Sequence, residues 1–92
     1  MALLIRSTGQ EQRVIPRDGK HFTLQEMQGY VGGDIEMVSL PGGRTLVCNE
    51  EGKLKSLPYN EQGTILGRFA GTASDDYVVG DVLVCDEREL ED

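Results

Sequence analysis

Thr23 and Glu26 stand three residues apart in front of an apolar-periodic stretch, and this pair constrains the fold more than any other feature of the chain. The threonine oxygen accepts from the backbone N–H of the residue three positions on, while the glutamate reaches back to the threonine N–H. Phe22 and Met27 occupy the flanking positions that staple such a helix start. Leu24, Met27 and Val31 then share one helical face with Tyr30 beside it, and Gly32-Gly33 supplies a left-handed stop. The spacing predicts a helix over 24–31 with both ends fixed.

Strand-like patterns surround this helix. Ala2–Ser7 and Gln12–Pro16 flank the turn Thr8-Gly9-Gln10, and Asp34–Leu40 and Arg44–Asn49 flank Pro41-Gly42-Gly43. Asn60 is placed to cap a second short helical turn over 61–66, weakened by Gly63 and Gly67. Phe69–Asp76 reads as loop. Tyr77–Cys85 is almost continuously apolar, which predicts a centrally placed strand, with a bulge or a close backbone approach at Gly80. The order predicts a compact α+β domain with one mostly antiparallel sheet of about five strands. That domain is expected to span 1–85, followed by a frayed acidic tail at 86–92.

At 92 residues the chain holds a single core. It is 38% hydrophobic with two Phe, three Tyr and no Trp, so Val, Leu, Ile and Met must fill that core. Sixteen acidic residues against nine basic give a net charge of −7. Such a surface repels phosphate backbones, which excludes direct nucleic-acid binding and favours a basic partner. Cys48 and Cys85 lie inside apolar runs without metal-ligand spacing, as buried free thiols of a reducing compartment do. A bridge between them would need their strands to be neighbours. The apolar start Met1–Ile5 is broken at Arg6, too short for a signal segment or a membrane span. The expectation is a soluble cytoplasmic protein.

After the capped helix come Val31-Gly32-Gly33-Asp34-Ile35-Glu36, Asn49-Glu50-Glu51-Gly52, Leu57-Pro58-Tyr59-Asn60 and Gly80-Asp81-Val82. In order and spacing these resemble the family named domain of unknown function 3846, over about Leu3 to Cys85. Where the family pattern has an alanine-threonine pair after the second asparagine, this chain has Gly63-Thr64. The resemblance implies a setting on phages, prophages and other bacterial mobile elements, and no particular activity.

Candidate chemistry is sparse. His21 is the only histidine and precedes the stapling Phe22, where an exposed structural role is the ordinary one. Glu50-Glu51, Asp75-Asp76 and Asp81 have carboxylates for acid–base or cation roles, but acidic residues also occupy turns because they stay hydrated. Gly32-Gly33 and Gly42-Gly43 lack the residues that complete a phosphate loop. No catalytic set, metal set or cofactor motif emerges. The segment Asn49–Asn60 carries the main candidates. Asn49, Asn60 and Thr64, with Glu50 and Pro58 beside them, either line a polar pocket or brace their own backbone through an Asx-turn and a helix cap. Arg44 and Arg68 would bring positive charge to an anionic ligand there. The expected function is a non-enzymatic binding protein of a mobile element, acting against host defence, with a nucleotide-like small molecule in that pocket and a homodimer around it. The alternative is an acidic inhibitor that imitates DNA charge toward a basic host protein. A small enzyme is the weakest reading.

Overall fold

A computed structural model of the chain describes residues 2–71 and 76–90. Thr23 caps helix α1 (Leu24–Val31) with both halves of the capping box formed, each bond 3.1 Å long. Gly32 ends the helix at φ 82°, its N–H returning to the Gln28 carbonyl at 2.8 Å. Phe22 and Met27 are both buried, and Tyr30 meets the Phe22 ring edge-on with centroids 6.3 Å apart.

Five strands form one antiparallel sheet: β1 (Ala2–Ile5), β2 (Glu11–Val14), β3 (Ile35–Leu40), β4 (Arg44–Asn49) and β5 (Val82–Asp86). Their order is β2-β1-β5-β4-β3, so β5 holds the centre that its apolar run demands. Two hairpins, β1–β2 and β3–β4, close on either side of it. Alternation along the strands directs side chains to opposite faces. Leu4, Val47, Leu83 and Cys85 meet α1 on one face. Ile5, Leu46, Cys48, Val82 and Val84 form a second core, against which Leu66 and Ala70 pack from the side of α2 (Glu61–Phe69). The result is an α+β domain of three layers.

Three sequence expectations need correction. The second helix runs to Phe69 instead of 66: Gly63 is a point of close approach, where a Cβ would lie 3.0 Å from Val78 Cγ1, and Gly67 is buried as well. The loop expected from Phe69 therefore starts later, and 72–75 of it, including Asp75, lie outside the described residues. The last strand starts at Val82 and not at Tyr77, since Gly80 at φ 76° redirects the chain. The residues before it pair with the loop ahead of α2, through a Tyr59–Val79 bridge and a Gly80 N–H to Pro58 carbonyl bond of 2.7 Å. Finally, Asp86–Leu90 is packed. Asp86 ends β5 and caps a 3₁₀ turn at Glu87–Glu89, and Leu90 bridges to Phe22 and packs against the α1-side core. The domain thus reaches at least Leu90, and 91–92 lie outside the described residues.

Cys48 and Cys85 are free, buried, and on opposite faces of the sheet, so no bridge can join them in this fold. Burial pushes both thiols up to about 11, helped by Glu36 beside Cys48 and by Glu89 and Asp86 near Cys85. A raised acid pKa stabilises the fold below the ordinary value of 9.0, and this contribution is lost as pH climbs toward about 11. At pH 8, Ellman's reagent should therefore react with neither thiol on the time scale of seconds, and with both after urea unfolding. Fast native labelling would contradict the burial. No helix among the described residues is long and apolar enough to cross a membrane.

Candidate functional site

Asn60 and Thr64 form the most densely bonded polar cluster in the fold, and both are sealed, at 1% and 2% exposure. Asn60 Oδ1 accepts from the Gly63 N–H at 2.9 Å, the N-cap of α2. Its two amide protons go to the carbonyls of Ile5 at 3.1 Å and Gly80 at 2.8 Å. Thr64 Oγ1 donates to the Asn60 carbonyl at 2.8 Å and accepts from the Val78 N–H at 2.8 Å. The pair thus ties together the end of β1, the start of α2 and the turn into β5. Both asparagine donors are occupied, leaving none for a ligand.

Asn49 does similar work elsewhere. It lies on the α1 side, where Nδ2 donates to the Val31 carbonyl at 3.1 Å and Oδ1 accepts from the Glu51 N–H at 2.8 Å. One side chain therefore holds the last turn of α1 and the Asx-turn that leaves β4. Glu50 is exposed, its N–H on the Asp34 carbonyl, and Pro58 is exposed with its carbonyl taken by Gly80. Arg68 sits beside Phe69 and Ile65 at the far end of α2. Arg44 begins β4, five residues from Asn49 and so roughly 17 Å away along an extended strand. The expected polar pocket is thus not assembled: the carboxamides and the threonine hydroxyl brace main chain on opposite sides of the sheet.

The arrangement instead opens a cleft of about 510 Å³ on the α2 side. Helix α2 packs over β3 and β4, leaving part of the sheet face at β1 and β2 uncovered. Leu3, Val84 and Leu66 give the cleft apolar walls, and Arg13, Arg44, Gln62, Glu11 and Asp86 supply its polar rim. Arg13 is in register with Leu3, and Leu3 with Val84, while Arg44 pairs with Asp86 two residues further along β5. Asp86 does not neutralise Arg44. Its carboxylate accepts from Arg88 N–H at 2.9 Å and Nε at 3.4 Å, bonds that hold it below the usual carboxylate range. Among the described residues neither the Arg13 nor the Arg44 side chain has an ion-pair or hydrogen-bond partner, in a chain of net charge −7.

A family model matches residues 1–92 under the description Domain of unknown function (DUF3846). The chain belongs to this family. No curated protein and no solved structure matches it. In this DUF3846 chain the cleft brings Arg44, expected from the sequence at a different pocket, together with Arg13, Gln62 and apolar walls that the sequence did not single out. Arg13 sits in phase with apolar Leu3 across a hairpin, and that phase was the available signal. A second hollow, of about 310 Å³, lies beside the loop after β4, where Lys53 pairs with Asp76 and stands 4.4 Å from the Tyr77 ring centre. Its cation already has partners, so the α2-side cleft is the stronger candidate.

Proposed function

We propose that this protein is a non-enzymatic binding protein whose α2-side cleft takes a small anionic molecule with a flat apolar part, a nucleotide-like ligand. The observation that carries this reading is the pair of arginines beside apolar walls, whose side chains have no partner among the described residues. Guanidinium groups bind phosphate oxygens in bidentate fashion, and an apolar surface accommodates a base. A volume of about 510 Å³ falls in the range of small-ligand sites. The non-catalytic part is supported by the chemistry nearby: the described thiols are held protonated by burial, and His21 is exposed next to α1, away from the cleft. A place on a phage or other mobile element, acting against host defence, suits a short accessory protein that sequesters a signal.

A panel of linear and cyclic nucleotides in a thermal-shift assay, followed by calorimetry, tests this. At least one should raise the melting temperature, and Arg13→Ala and Arg44→Ala should each weaken it by about 10-fold or more, the loss of one charge-assisted contact. A panel with no effect far above millimolar concentration would refute the ligand class. A second reading, an acidic surface docking a basic host protein in imitation of DNA, is favoured by Asp34, Glu36, Glu50 and Glu51. These are exposed together at one end of the β3–β4 hairpin, and such docking would weaken steeply with salt.

A further inference from the structure

The two ends of the sheet are unlike. The β2 edge is four residues long, carries Glu11, Gln12 and Arg13, and is followed two residues later by Pro16. Short length, charge and proline are the devices that stop strand edges from pairing. The β3 edge has none of them except Glu36: its six residues are Ile35-Glu36-Met37-Val38-Ser39-Leu40, and Met37 is 46% exposed. Among the described residues nothing pairs with its outer side.

Which backbone groups face outward follows from the register. The Glu50 N–H donates to the Asp34 carbonyl at 2.8 Å, so Asp34 and Glu50 form a hydrogen-bonded pair. Such pairs alternate along an antiparallel ladder. Residues 36, 38 and 40 therefore bond to β4, and Ile35, Met37 and Ser39 present their N–H and C=O groups outward. We propose that this edge pairs with the same edge of a second copy, antiparallel about a two-fold axis through Met37, joining two five-stranded sheets into one of ten strands.

The occupant follows from self-complementarity. With Met37 opposite Met37 of the second copy, Ile35 falls opposite Ser39 and Glu36 opposite Val38. All outward groups meet outward groups, the two exposed methionines cover each other on one face, and the strand's only charge does not oppose its own copy. Shifting the pairing by one residue would set outward groups against inward ones. The opposing force is the −7 charge of each chain, which salt screens. An edge contact alone is small, below about 1,200 Å² in total, so the dimer is weak, with a Kd of order 100 µM.

Sedimentation equilibrium of the full chain from about 10 µM to about 1 mM should show a monomer–dimer equilibrium that tightens as salt rises from about 20 to about 300 mM. Met37→Lys, which sets two ammonium groups against each other on the axis, should leave a folded monomer at every concentration. Gln12→Lys on the other edge should leave the dimer intact. A wild type that stays monomeric at about 1 mM, a dimer that survives Met37→Lys in a folded protein, or one lost in Gln12→Lys would each overturn the proposal. Because the cleft lies away from β3, nucleotide binding in Met37→Lys distinguishes failure of this inference from failure of the ligand reading.

Discussion

Replacing Asn60 by alanine should cost about 3–5 kcal/mol, a large share of the roughly 5–10 kcal/mol that holds a domain of this size together. The side chain makes three bonds with buried main chain, to Gly63, Ile5 and Gly80, and alanine makes none of them. Loss of the cap accounts for about 1 kcal/mol, and the remainder comes from buried carbonyls deprived of a donor with no water able to reach them. Urea unfolding followed by circular dichroism measures the effect. Asn60→Asp separates the contributions, because it keeps the capping oxygen but turns both amide donors into an acceptor facing two carbonyls. At neutral pH it should be at least as damaging as alanine. Its deficit should shrink on acidification, because burial raises the pKa of such a carboxyl and the protonated form can donate one bond. An alanine variant within about 1 kcal/mol of wild type would mean that the Asn60 network is not what joins β1, α2 and β5.

The second large effect is expected at Gly80. Its φ of 76° costs an L-residue about 1–2 kcal/mol, and an alanine Cβ would sit 2.8 Å from Leu57 Cδ1. Leu57 can swing aside only in part, since its Cβ is 3.5 Å from the same point and it also lies against Gly52. Gly80→Ala should therefore destabilise by about 2–3 kcal/mol. In a Leu57→Ala background the steric share should vanish and the backbone share remain, so the two substitutions should be non-additive by about 1 kcal/mol. Strict additivity in unfolding measurements would remove Leu57 from the account.

These two residues also mark how far the sequence could be read. Helix α1 was legible residue by residue because its signals are local: a capping box, a staple and a glycine stop act within one turn of the chain they fix. The β3–β4 hairpin and the central place of β5 were legible for a related reason, since turn chemistry and an unbroken apolar run each imply their own surroundings. Asn60 was recognised as a cap, but its bonds to Ile5 and Gly80 span 55 and 20 residues, and no local pattern announces such partners. The same limit hid the cleft. Arg13 and Arg44 meet one hollow only because β1 and β5 lie between their strands, and strand order is set by packing of the whole sheet. Acidity over 86–90 suggests fraying and so conceals the packing of these residues. In fact Asp86 and Glu89 act as caps, and the apolar Leu90 among the charges was the residue that mattered.

The position of β5 has a consequence for how the protein is made. Among the described residues it is the last strand in sequence and the middle one in space, so the elements that precede Val82 are two separate hairpins and two short helices. A lone hairpin is marginal in water. During translation the nascent domain must therefore wait, its apolar flanks uncovered, until β5 has emerged and is inserted like a keystone.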